Sequence, residues 1–217
     1  MNIFMCGSAG YCEAAKLFLE NRQVCKEHLP AFYIDQFIKK ADPYEETASA
    51  LKRLASFARE DDKTVFRIEA ANGEDIIAVR LGYGGVYAGL WRLGKELDCG
   101  LNTDVLKVPV YQETVEIMEL MNSDPYEADS AGSFILAVPE SVPEDTNNLF
   151  EVILLAIKAI KRSEEIAHGL EKIPAFYIGH TSASKARTMK MPAGYRFLTP
   201  PGRQSKDMAA KKADRPS

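Results

Sequence analysis

Two alternating apolar runs that meet at a tight turn constrain this chain most. Thr64 to Ala70 and Asp75 to Leu81 flank Asn72-Gly73, the strongest short signal for a β-hairpin, because both turn residues tolerate positive φ. If Ala71 and Glu74 border that turn, Ile68 faces Ile77 and Phe66 faces Val79. All four side chains then share one sheet face and Arg67 lies on the other. Such a hairpin needs further layers to cover its apolar face.

Those layers are written on either side of it. Asn2 to Cys6 is a short apolar run, followed by the loop Gly7-Ser8-Ala9-Gly10 and a helical pattern from Tyr11 to about Cys25. Pro30 to Ile34 reads as a short extended or turn segment. Asp42, Pro43 and Glu45 have the types and spacing of a helix start, so a helix is predicted from Pro43 to about Arg59. Gly82 to Gly85 is a glycine-rich bend ahead of a helix from Val86 to Leu97. Val105 to Tyr111 and Ser133 to Val138 read as strands, with a short helix, Glu113 to Met121, between them. A long amphipathic helix is predicted from Asn147 to His168, and a last strand from Ile173 to Ile178. Pro-Ala-Phe-Tyr-Ile occurs twice, at 30–34 and 174–178, either as a duplicated unit or by chance.

Helices and strands therefore alternate. The expected fold is α/β, or mixed α+β: one domain over residues 1–180 with a mixed sheet and a hairpin at 64–81. A length of 217 residues with 46% hydrophobic and 27% charged residues suits a globular, soluble protein. No apolar run reaches the roughly 20 residues that span a bilayer, and no basic segment precedes Ile3-Phe4-Met5 as in a signal peptide. The four cysteines are too few for a disulfide scaffold, which points to a reducing cytoplasm.

Charge divides the chain. Residues 181–217 hold nine basic residues against Asp207 and Asp214, a net +7, whereas the whole chain is at −4 and residues 1–180 therefore at −11. That asymmetry predicts a basic C-terminal extension, disordered at least from about 205. Lys185, Arg187, Lys190, Arg196 and Arg203 interleave with Tyr195 and Phe197, a pattern suited to phosphate contact and base stacking. The leading expectation is a non-enzymatic interaction protein whose tail engages an acidic partner, a nucleic acid or an acidic protein. No membrane role and no cofactor is expected.

The alternative is an enzyme built on Cys6. A cysteine that ends a strand, followed by Gly7, Ser8, Ala9 and Gly10 and a helix N-terminus, sits where amides hold an anion and favour a thiolate. The segment resembles the first loop of the sugar-phosphotransferase enzyme IIB components, which implies phosphoryl transfer through Cys6; acyl transfer uses the same nucleophile. It is also similar to the loop of low-molecular-weight tyrosine phosphatases. Cys12 occupies the position of their phosphate-clamping arginine, which excludes that family.

Other motifs carry less. Gly89 to Glu96 approaches a Walker A loop, but Glu96 replaces the magnesium-binding hydroxyl and the bulky Leu90, Trp91 and Leu93 have helix-interior spacing. Cys12, Cys25 and His28 lack the paired spacing of a zinc site. Ser8, Ser182 or Ser184 with His180 form no recognised nucleophile elbow.

Overall fold

A computed structural model describes residues 1–58, 60–61, 64–70 and 73–201. In chain order the elements are β1 (Asn2–Cys6), α1 (Tyr11–Glu20), α2 (Arg22–His28), α3 (Ala31–Lys39), α4 (Ala41–Ser56), β2 (Glu60–Asp61), β3 (Val65–Ile68) and β4 (Ile76–Arg80). There follow α5 (Gly85–Glu96), β5 (Gly100–Asp104), a 3₁₀ turn (Val105–Lys107), α6 (Gln112–Leu120) and β6 (Phe134–Val138). The chain closes with α7 (Leu149–Ile157), α8 (Ile160–Ala167), β7 (Phe176–Ser182), β8 (Arg187–Met191) and β9 (Gly194–Phe197). The fold is mixed α/β.

The described strands form one sheet in the order β2-β3-β4-β6-β1-β7-β5-β8-β9. Neighbours run antiparallel except β5 and β8, which are parallel. β1 lies centrally between β6 and β7 and is buried on both faces, which is why it reads as an unbroken apolar run. Phe4 and Cys6 point to one face with Phe66, Ile68, Ile76, Ala78, Phe134 and Leu136, under α4, α7 and α8. Ile3 and Met5 point to the other with Ile77, Val79, Ile135 and Ala137, under Val86, Tyr87, Leu90 and Leu93 of α5. A third cluster around Tyr11, Phe18, Phe37 and Ile117 knits α1 to α3 and α6 at the end where β1 finishes.

The hairpin forms, but in a different register. Ile68 pairs with Ile76 and Phe66 with Ala78, while Ile77 pairs with Arg67 and Val79 with Val65. A one-residue shift exchanges faces, so Phe66 and Ile68 share a core with Ile76 and Ala78, and Ile77 and Val79 pack on the reverse side. Both faces of β4 are covered, so either register buries apolar side chains and alternation cannot choose between them. Gly73 keeps a left-handed φ of 79°; Asn72 lies outside the described residues.

Other elements differ for local reasons. The long C-terminal helix is broken at Lys158, whose φ of 56° ends α7. Its apolar stripe continues into Ile166 and Ala167 of α8, so periodicity alone does not reveal the break. Val105 to Tyr111 is not a strand. The Asp104 side chain accepts a hydrogen bond from the Leu106 amide at 3.0 Å and caps a 3₁₀ turn there. The strand precedes it, as β5. The first Pro-Ala-Phe-Tyr-Ile copy enters helix α3, whereas the second is extended into β7. The repeat is therefore not a duplicated structural unit.

Residues 181–198 are not a loose extension. β8 and β9 complete the sheet, and Met189 and Leu198 are buried in the α5-side core. Arg203 and the segment from about 205, expected to be disordered, lie outside the described residues.

Candidate functional site

At the end of β1 the chain turns through Gly7 (φ 94°) and Gly10 (φ 68°) into α1. The positive φ values call for glycine, and space does too. A Cβ on Gly7 would lie 2.3 Å from Ser133 Oγ, and one on Gly10 2.7 Å from the Pro125 carbonyl. The loop is clamped rather than open. The Ser8 amide donates to Ser133 Oγ at 3.0 Å, Ala9 to the Pro109 carbonyl at 2.9 Å and Gly10 to Ser130 Oγ at 2.8 Å. Ser8 Oγ in turn accepts the Tyr111 amide, and Ser133 Oγ donates to the Ser8 carbonyl. Three of the four amides expected to hold an anion are thus given to protein acceptors.

Cys6 is fully buried in the core under α4 and α7. Burial alone pushes its thiol far up, because a thiolate loses its solvation there. Its geometry is that of an inert core thiol.

The mouth is built from three segments instead. Residues 129–133 cross between the Gly7–Gly10 loop and the second glycine bend, since the Ser130 amide donates to the Gly82 carbonyl and the Leu81 amide to the Ser133 carbonyl. Gly84 and Gly85 both have left-handed φ, 81° and 54°. A Cβ on Gly85 would sit 2.5 Å from the Tyr126 carbonyl, which accepts the Val86 amide at the start of α5. Tyr83, between Gly82 and Gly84, is 80% exposed.

Charge collects beside this bend. Asp129 Oδ2 receives Lys16 Nζ at 2.8 Å, and Oδ1 receives the Ala131 amide at 3.0 Å. The Cys12 thiol donates to the same Oδ2 at 3.8 Å, with the Tyr44 phenol close by. Burial, the largest single influence on Asp129, pushes its carboxyl up. Lys16, the Ala131 amide and Cys12 together outweigh it, so the carboxyl titrates below its usual range. Burial, then the Asp129 charge, pushes the Cys12 thiol up. Burial, then Cys12, pushes the Tyr44 phenol up to about 12. At neutral pH the group is a carboxylate, an ammonium, a neutral thiol and a neutral phenol: able to accept from a substrate donor and to neutralise an anion, without a ready thiolate.

Behind it lies an aromatic floor. Tyr11 stacks on Tyr44 with ring centroids 5.3 Å apart and meets Phe37 and Tyr111. Lys40 stands 3.9 Å over the Tyr111 ring and pairs with the buried Glu113 at 2.9 Å. A cavity of about 10 Å³ opens between Ser8, Tyr11, Tyr44, Tyr111 and Ser133, enough for one water molecule.

The residues expected to bind nucleic acid lie elsewhere, and most are occupied. Lys185 pairs with Asp98 at 2.7 Å. Arg187 donates to the Gly94 carbonyl at 2.9 Å and the Cys99 carbonyl at 3.3 Å, beside Trp91. Arg196 lies 3.9 Å over the Tyr87 ring and pairs with Asp124 at 3.5 Å and Glu127 at 3.7 Å. Lys190 is 3.6 Å from Asp104. Tyr195 and Phe197 are exposed on the opposite face of β9 from Arg196. Gly89 to Glu96 is helix interior, with Leu90 and Leu93 fully buried. Among the described residues no group of three His, Cys, Asp or Glu side chains is placed to hold a metal, and no helix is long and apolar enough to cross a membrane.

Asp129 and Lys16, the charged centre of this mouth, carry no motif. The only sequence sign is the small, polar run Asp129-Ser130-Ala131-Gly132-Ser133 just ahead of a buried strand.

No protein-family model matches the chain, and no curated protein sequence matches it. Its fold has solved counterparts. Two crystal structures of HypE from E. coli, described as a hydrogenase maturation protein, superpose with TM-scores of 0.53 and 0.52 at 17% identity over 93% of this chain. A further HypE structure gives 0.50 at 15% identity over 94%. The chain spans about half the length of these proteins, 50–54%. The expectation of a non-enzymatic protein with a nucleic-acid-binding tail is overturned. The chain shares its fold with about half of a maturation protein, and Lys185, Arg187, Lys190 and Arg196, four of the basic residues on which that expectation rested, are paired within that fold.

Proposed function

We propose that this chain is a module of a group-transfer enzyme, handling a phosphoryl or acyl group at the mouth between α1, residues 129–133 and the Gly82–Gly85 bend. The observation that carries the reading is the likeness of nearly the whole chain to half of HypE. The electrostatics at the mouth support it. Lys16 offers a positive charge to an anionic group. Asp129, held ionised, accepts a hydrogen bond from the substrate's donor. In the second glycine turn Gly82 has open space beside its Cα, where a ligand can approach the backbone closely. Cys6 has no part in this chemistry, because its side chain is closed off in the core. Any covalent step through it would require the sheet to open.

ATP and acetyl phosphate, one offering a phosphoryl group and the other both groups, test the reading. Release of phosphate or ADP above background is expected, together with chemical-shift changes at Lys16, Tyr83 and Asp129. Lys16→Ala should weaken the interaction by about tenfold, the effect of one charge-assisted contact. Absence of shift changes and of turnover with both compounds would remove the proposal.

A further inference from the structure

A cleft of about 520 Å³ opens between α4 and the turn that follows α8. One wall is α4. Glu46, Ala50 and Arg53 stand on one helical face, with Glu45 and Ser49 beside them. The other wall begins at His168, which ends α8, and continues through Gly169 to Ile173. Arg53 Nη2 donates to the Glu165 carbonyl at 2.8 Å and ties the two walls together. Gly169 turns the chain with a left-handed φ of 82° and has open space beside its Cα. Ala50, Leu170 and Ile173 are buried in the core and give the cleft an apolar floor.

The charges of the lining balance. Glu45 and Glu46 face Arg53, Lys172 and a histidine, His168. Glu171, outside the lining, lies near Arg53 and His168. Glu45, Glu46, His168 and Lys172 are exposed, and among the described residues no ion pair or hydrogen bond engages their side chains. A ligand with one sign of charge is repelled by part of this lining, whereas a ligand with both signs finds a partner for each. The helix sets its length. Glu46 and Arg53 are separated by two turns of α4, about 10 Å along the axis. A free amino acid carries both charges on one carbon and cannot reach both positions. Three extended residues span about 10 Å.

We propose that this cleft binds a short peptide, about three residues long, with free ends. Its ammonium group sits at Glu45 and Glu46, and its C-terminal carboxylate at Arg53 and His168. The Arg53 guanidinium keeps donors beyond those given to the α8 carbonyls. Ser49, between the two ends along α4, offers its hydroxyl to the peptide backbone. An apolar middle side chain rests on Ala50, Leu170 and Ile173. The cleft shares no lining residue with the group-transfer mouth, so it stands whether or not that activity does.

Alanyl-leucyl-alanine titrated into the isotope-labelled full chain should shift the amide resonances of Ser49, Gly169 and Leu170, with a Kd on the order of 1 mM. N-acetylation and C-terminal amidation of the peptide should each weaken binding by about tenfold, and free leucine should bind more weakly by at least about tenfold. Glu46→Gln should weaken the free peptide by about tenfold and leave the acetylated peptide unaffected, because that peptide has no ammonium group to lose. Circular dichroism confirms that the variant folds. Absence of shifts at about 20 mM peptide overturns the proposal. Equal affinity for the free and blocked peptides overturns it as well, since the contact is then apolar only, and so do shifts confined to another surface.

Discussion

Lys16 Nζ reaches Asp129 Oδ2 at 2.8 Å across 113 residues of sequence, tying the helix after the first strand to the loop before β6. Because the Asp129 carboxyl is held below its ordinary 3.8, the folded chain binds that proton less readily than the unfolded one. The resulting stability is present above the ordinary value and disappears as pH falls through the lowered one. Asp129→Asn should cost about 1 kcal/mol at pH 7. Urea midpoints of the two proteins should converge in acid below that window. A gap of constant size at every pH would assign the effect to packing.

The hairpin register has a thermodynamic signature. Ile68 and Ile77 lie on opposite faces of the sheet, whereas Ile68 and Ile76 are paired on one. Each Ile→Val change should cost about 0.5–1.5 kcal/mol. Ile68→Val with Ile77→Val should add to within about 0.5 kcal/mol. A larger coupling between 68 and 77 than between 68 and 76 would restore the register read from a two-residue turn.

Iodoacetamide should separate the cysteines by position. Cys12 and Cys99 are partly exposed, Cys6 and Cys25 buried. In the native protein Cys12 and Cys99 should be alkylated first, slowly at neutral pH because burial raises both thiols. Cys6 should react only as fast as the chain unfolds. Rapid native labelling of Cys6, followed by mass spectrometry, would reopen the phosphotransferase resemblance.

Deletion of residues 182–217 should not leave an intact core. It removes β8 and β9, and with them Met189 and Leu198, which close the cluster around Leu101, Leu93 and Val105. The truncated chain should bind a hydrophobic dye and lose its cooperative melt. A sharp melting transition near that of the full chain would show that the final strands are dispensable.

Much of the architecture is legible because apolar periodicity reports burial. β6 is apolar throughout and β1 from Ile3 onward, and α5 keeps a clean stripe. β5, β8 and β9 are not legible, since half of their side chains, such as Asn102, Thr188 and Lys190, are not buried. They give the alternation of a polar segment. Pro-Ala-Phe-Tyr-Ile marks the limit of local reading. In α3 its Ile34 is buried beside Phe37 in the third cluster, whereas before β7 Ala175 is tied to the Asn147 carbonyl. The neighbours, and not the five residues, decide. The glycine turns of the site show in the sequence. The Lys16–Asp129 pair does not, because only the completed fold brings those residues together.

The central position of β1 governs the order in which the molecule can be assembled. Its hydrogen-bonding partners, Phe134 to Val138 on one side and Phe176 to His180 on the other, leave the ribosome long after it does. The earliest strand therefore waits, with Ile3, Phe4 and Met5 uncovered, until most of the chain has been synthesised. Contacts of such long range make folding slow, and the waiting strand is the segment that a chaperone has most reason to hold.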